Sequence, residues 1–136
     1  IDQAINFFLS NEVDYVSNVD IRSYPDGMDV QVFKLETLID SYQRTKTSLE
    51  REHVTLNIRR DKQRYKRINM VAEISSTWPE LGLTLDEKDD LIFIRKIVEK
   101  LGTANSEASC TEIIKLLREN KELLLINQAV RRKGDT

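Results

Sequence analysis

Hydrophobic spacing changes period within fourteen residues, between Asp29 and Tyr42, and that switch limits the folds open to this chain. In Asp29-Val30-Gln31-Val32-Phe33-Lys34, Val30 and Val32 flank the polar Gln31 and face one way, as in a strand. Leu35, Leu38, Ile39 and Tyr42 then return at three- and four-residue intervals, predicting a helix through about Lys46. A strand that runs directly into a helix calls for a mixed α/β architecture. The 136 residues suffice for one domain with its own core, expected to span residues 1–136.

Other segments repeat the mixture. Ile1, Ala4, Ile5, Phe8 and Leu9 place one apolar face on a helix from Ile1 to Glu12, and Asp14 to Asn18 reads as a short strand. A second helix is expected to start near Ser48, with Val54 and Ile58 inward. Tyr65 to Ile74 is expected to be a strand, Trp78 to Gly82 a connector, and Leu83 to Leu85 a short strand ending at Asp86. Asp86 is then the natural N-cap of a helix whose first turn holds Glu87, Asp89 and Asp90, where the helix dipole favours negative charge. Its inward stripe is Leu91, Ile94, Ile97, Val98 and Leu101, and Gly102 stops it. After a polar linker, Thr103 to Ser109, Thr111 is expected to cap a helix with Ile113, Ile114, Leu116 and Leu117 inward. Glu122 to Val130 reads as a last helical stretch, and the tail Arg131 to Thr136 as loose.

Charge excludes some partners. The 21 Lys and Arg nearly cancel the 23 Asp and Glu, so no global field attracts nucleic acid or an anionic membrane, and neither is expected as a partner. No apolar run approaches the roughly 20 residues of a membrane helix, and no signal peptide is visible. The single cysteine, Cys110, excludes an internal disulfide framework and fits a reducing, cytoplasmic setting. The chain begins at Ile1 and reads as a piece of a longer protein.

Three clusters hold the candidate chemistry. In Tyr24-Pro25-Asp26-Gly27-Met28-Asp29, proline and glycine shape a tight turn that bears two carboxylates before a strand. Asp26 could simply bond the backbone of that turn. Alternatively, Asp26, Asp29 and the Gly27 main chain meet a polyhydroxylated ligand, since carboxylates accept paired hydroxyls and glycine permits close approach. Arg51-Glu52-His53-Val54-Thr55 contains the only histidine. His53 suits a structural position between charged neighbours, or a ligand contact tuned by Glu52; with no second His or Cys at ligand spacing it is no metal box. In Leu83-Thr84-Leu85-Asp86, Asp86 is either a helix cap or a hard oxygen ligand for Mg²⁺ at a strand's carboxyl end.

In this order, Tyr15-Val16-Ser17-Asn18, Tyr24 to Phe33, Arg51 to Thr55 and Leu83 to Asp86 resemble the second half of the spore coat polysaccharide cytidylyltransferases. That family stands with the acylneuraminate and Kdo cytidylyltransferases in the nucleotide-diphospho-sugar transferase fold, a three-layer α/β/α architecture. The closing Glu119 to Leu124 and Ile126-Asn127 resemble its C-terminus, so the similarity spans nearly the whole chain. The resemblance implies transfer of CMP from CTP to a sugar for cell-surface polysaccharide synthesis, in a homodimer. The nucleotide-binding half of such a protein, with its phosphate loop and first metal aspartate, is absent from this sequence, so the piece alone is expected to be inactive.

The same resemblance assigns Asp86 to the second metal position, for Mg²⁺. It sets Tyr24, Asp26, Gly27, Asp29 and Arg51 on the sugar side, and makes His53 or Glu52 the proton acceptor. Some positions depart from the family's pattern: Gly82 replaces an arginine, Leu56-Asn57 a proline and an aromatic, and Glu87-Lys88-Asp89-Asp90 a threonine-proline-glutamate-aspartate run. Lys88 thereby brings a cation close to Asp86 in sequence. A non-catalytic dimerisation module of the same fold is the competing reading, with Leu123-Leu124-Leu125-Ile126 available to an interface.

Overall fold

The computed structural model describes residues 1–102 and 107–130. Positions 103–106 of the expected linker and the expected loose tail, 131–136, lie outside the described residues. The chain gathers into two compact units, one of residues 1–22 and 29–71, the other of residues 23–28 and 72–136.

The first unit holds a three-stranded sheet of β1 (Tyr15–Ser17), β2 (Gln31–Phe33) and β3 (Arg67–Asn69), in the order β2-β1-β3. Central β1 runs antiparallel to β2, with Val16 opposite Val32, and parallel to β3, with Val16 opposite Ile68. Because side chains alternate along a strand, each face has its own core. On one, Ala4, Val16 and Met70 are buried with Phe8, Val13, Val30, Val32 and Ile68 against them. On the other, Tyr15, Ile58 and Tyr65 are buried, and Tyr15 stacks on Phe33 with ring centres 6.1 Å apart. Burial pushes the Tyr15 phenol pKa up, partly offset by the Ser17 hydroxyl. Each fully buried side chain of this size contributes about 2 kcal/mol.

Around the sheet lie α1 (Asp2–Ser10), α2 (Leu35–Gln43), α3 (Ser48–Glu52) and α4 (Leu56–Arg60). Several expectations need correction. The strand foreseen over residues 65–74 shrinks to three residues, because β3 exists only as far as the three-residue β1 can pair with it. The helix expected near Ser48 breaks at His53 into α3 and α4, leaving Val54 exposed; Ile58 is buried as foreseen, and Leu56 is buried with it. Its cap is Thr47, since Thr47 and Glu50 form a reciprocal capping box. In α2 the buried positions are Thr37 and Ser41, whereas Leu35, Ile39 and Tyr42 are exposed.

Asp40 of α2 ties this unit together. Its carboxylate accepts from Arg44 (3.1 and 3.2 Å), from Arg64 (2.7 and 2.6 Å) and from the Tyr65 hydroxyl at 2.7 Å. The two guanidiniums hold its pKa far below the usual carboxylate range.

The second unit is helical. Its core joins Phe93 and Ile97 of α5 (Lys88–Leu101), Ile114 and Leu117 of α6 (Cys110–Glu119), Leu81, and Leu123 from a 3₁₀ segment, Lys121–Leu125. The Arg118 guanidinium lies over the Trp78 ring, 5.8 Å from its centre. Phe93, not foreseen as inward, is fully buried, while Val98 of the expected stripe is exposed. The cap of α6 is Ser109 rather than Thr111, because Ser109 finds Glu112 three residues on. Residues 122–130 form no α-helix: i to i+3 hydrogen bonds recur at Leu123, Ile126 and Val130. They bring Asn127 inward, where its amide donates to Asp90 at 2.9 Å. No described helix is long and apolar enough to cross a membrane.

The Asp40 pairing generates an acid-stability prediction. A carboxyl whose pKa is depressed by folding stabilises the fold above its unfolded pKa, and that stabilisation is lost as pH falls toward the folded value. Asp40→Asn is expected to lower Tm at neutral pH. The gap from the parent should narrow steadily below about pH 4 in thermal melts followed by circular dichroism.

Candidate functional site

The strongest convergence of foreseen motifs lies within the second unit. Asp26 and Gly82 form an isolated parallel bridge. The Asp26 N–H donates to the Leu81 carbonyl at 2.8 Å, and the Leu83 N–H donates to the Asp26 carbonyl at 2.7 Å. Ser23 extends the clasp: its carbonyl accepts from Trp78 N–H at 3.0 Å and its hydroxyl from Ala72 N–H at 2.8 Å. Two segments about 55 residues apart are therefore fastened main chain to main chain.

Gly27 makes the clasp possible. Its φ is +100°, and a Cβ there would stand 2.7 Å from the Leu83 carbonyl carbon and 2.9 Å from the Thr84 nitrogen. Neither the dihedral nor the space suits any other residue. Pro25 is buried, and its carbonyl closes the turn by accepting from Met28 N–H at 3.1 Å. Tyr24 is half-buried, and its phenol pKa is raised by burial and, less, by Cys110 and Glu73.

This pairing is the remnant of the strand foreseen over Leu83–Leu85, which does not form: one bridge at Gly82 replaces it. Asp86 is not the cap of α5 either. Glu87 occupies that position, and the buried Asp90 carboxylate accepts from the backbone of Asp86 (3.2 Å) and Glu87 (3.1 Å). The Asp86 side chain is thus released from capping and is exposed, four residues beyond the bridge. The roles of two residues of this region escaped the sequence reading. Asp90 carried a signal, an acid three residues beyond a possible cap; the buried Thr84 hydroxyl, which has no hydrogen-bond partner, carried none.

The remaining candidates belong to the first unit. Asp29 is held by Arg22 through a two-point pair at 2.8 and 3.3 Å. Arg51 and Glu52 are exposed in the last turn of α3, and half-buried His53 sits at the break after it. The His53 N–H donates to Leu49 and its carbonyl accepts from Leu56 N–H at 2.8 Å, so the backbone sets this residue firmly. Next to it, the Thr55 hydroxyl bonds the Gln31 amide oxygen at 2.6 Å. Arg51 also lines a cavity of about 350 Å³ with Leu38, Ile39, Tyr42, Glu50 and Val54. Backbone donors at Lys46 and Thr47 hold the Glu50 pKa below its ordinary value.

Among the described residues, no group of three or more His, Cys, Asp or Glu side chains could hold a metal ion. One carboxylate such as Asp86 still fits the chemistry of Mg²⁺, which takes one or two protein oxygens and completes its shell with water and phosphate.

No protein-family profile matches the chain. It is 26% identical over 134 residues to an uncharacterized protein of Methanocaldococcus jannaschii, covering 98% of this chain and 53% of that one. Its fold is that of a cytidylyltransferase from Leptospira borgpetersenii, with a TM-score of 0.84 and 21% identity over 96% of this chain and 54% of that structure. The chain spans about half the length of each. The helix-rich mixed α/β class foreseen from the hydrophobic spacing is the one found.

Gly27→Ala is expected to destabilise the second unit by about 2–4 kcal/mol, through the dihedral and the backbone clash together. Urea unfolding of the variant, read from its midpoint at unchanged slope, measures this.

Proposed function

We propose that this chain is the acceptor-side part of a cytidylyltransferase that moves CMP from CTP onto a sugar hydroxyl, in the synthesis of a cell-surface polysaccharide. The backbone clasp between the Tyr24–Gly27 turn and Gly82–Thr84 carries the reading. It unites two motifs of the implied sugar and metal sites that the sequence keeps far apart. The fold shared with a cytidylyltransferase supports the same class of chemistry.

In this reaction the sugar hydroxyl oxygen attacks the α-phosphorus, a new P–O bond forms, the bond to the β-phosphate bridging oxygen breaks, and pyrophosphate leaves. The hydroxyl proton passes to His53 or Glu52. The resemblance assigns Tyr24, Asp26 and Gly27 of the second unit, and separately Asp29 and Arg51 of the first, to sugar binding, with Gly27 admitting the ring close to the main chain. Asp86, freed from capping, would hold Mg²⁺; when bound, that ion supplies charge neutralisation at the phosphates. Positioning of the acceptor is this chain's share of the catalysis. CTP and a sugar are the substrates, and the setting is cytoplasmic.

The apolar groove of Leu38, Ile39, Tyr42 and Val54 favours a second role, as the surface where two copies meet in a homodimer. The Leu123–Ile126 run, which could serve an interface or a core, mostly serves the core. Leu123 is buried, Leu124 and Ile126 pack against that core, and Leu125 alone is exposed.

In the full-length protein that carries this chain, pyrophosphate release from CTP and Mg²⁺ should depend on one member of a sugar panel. Asp86→Asn is expected to reduce turnover by about two orders of magnitude or more. Near-normal turnover in that variant would remove Asp86 from the mechanism.

A further inference from the structure

Overall neutrality conceals one sharply uneven stretch. Residues 59–67, Arg-Arg-Asp-Lys-Gln-Arg-Tyr-Lys-Arg, hold six cations and one carboxylate in a chain of net charge −2. The fold does not spread these cations evenly. Arg64 turns to Asp40, whereas Arg59, Lys62, Lys66 and Arg67 line one polar cleft of about 480 Å³ with Asp20, Ile21, Tyr65 and Asn69.

The walls of this cleft are set in advance. Arg67 is only 13% exposed; its guanidinium pairs with Asp20 at 3.0 Å and donates to the Arg59 carbonyl. Asn69 holds the opposite rim from both sides, accepting from Ile21 N–H at 3.0 Å and donating to the Ile21 carbonyl at 3.2 Å. Four cations thus face a single carboxylate, and neither Lys62 nor Lys66 makes an ion pair among the described residues. A concave cluster of one sign concentrates anions more than isolated surface lysines do.

We propose that the cleft between Arg59, Lys62, Lys66 and Arg67 is a binding site for the phosphate group of a small soluble molecule, separate from the residues assigned to nucleotidyl transfer. Phosphate chemistry follows from the charge and the donors: the Lys62 and Lys66 ammonium groups supply N–H donors, and the two guanidiniums add positive charge beside them, which suits a dianion. Small size follows from the shape, because the recessed Arg67 lies out of reach of a flat polyanion that would touch only the exposed lysines. The inference does not rest on the transferase reading and uses none of its residues.

The test is titration of the chain with inorganic phosphate, without CTP, followed by two-dimensional amide NMR. Saturable shifts centred on residues 59–69 are expected up to about 20 mM phosphate, weakening as sodium chloride rises from about 50 to 200 mM. Lys62→Ala/Lys66→Ala alters two exposed side chains and should weaken the apparent affinity by about tenfold. Absence of shifts at these residues, or shifts that the double variant leaves unchanged, would overturn the site. Capture by phosphatidylglycerol vesicles or by a single-stranded oligonucleotide, with no response to inorganic phosphate, would replace the small ligand with a surface or a polymer.

Discussion

The clasp between Asp26 and Leu81–Leu83 is the interaction on which the candidate chemistry depends. It is made of main-chain hydrogen bonds at 2.7 and 2.8 Å, so it owes little to which side chains are present, with one exception. At Gly27 any β-carbon would strike the backbone of Leu83 and Thr84, and backbone cannot swing away as a flexible side chain can. A six-residue segment, Ser23 to Met28, is thereby drawn into the helical unit, although the residues before and after it belong to the sheet unit. One glycine connects local turn chemistry to the placement of two motifs.

Buried polar groups set the rest of the arrangement as firmly as the apolar cores do. Asp90 is fully buried yet satisfied by two backbone donors and by Asn127, and in taking the capping work it leaves Asp86 exposed. Asp40 plays a similar part in the sheet unit, gathering two arginines and a tyrosine from separate stretches of chain. A buried or half-buried carboxylate with every acceptor used imposes geometry because leaving any partner unmatched is expensive. The basic cleft shows the complementary case. Four cations share one carboxylate there, and the surplus charge is a property of the surface that average composition hides.

Element types followed closely from periodicity, whereas their ends did not. Alternation at Val30 and Val32 and helical spacing at Ile94, Ile97 and Leu101 each reflect which face a side chain presents, a local property. Strand length depends on the partner: Tyr65 to Ile74 has the composition of a longer strand, but β1 offers only three residues to pair. Capping positions were legible in retrospect, since Thr47-Glu50 and Ser109-Glu112 both carry the reciprocal box, and the nearer serine or threonine competed for attention.

By itself the sequence determined the helix and strand alternation, the glycine-bearing turn and the identity of the acidic and basic residues, because these rest on backbone preference and side-chain chemistry. Tertiary structure alone decided that Asp26 and Gly82 pair, that Glu87 rather than Asp86 caps its helix, and that Lys62, Lys66 and two arginines share a cleft. Contacts between residues tens of positions apart arise from the packing of whole faces. No local pattern encodes which faces will meet.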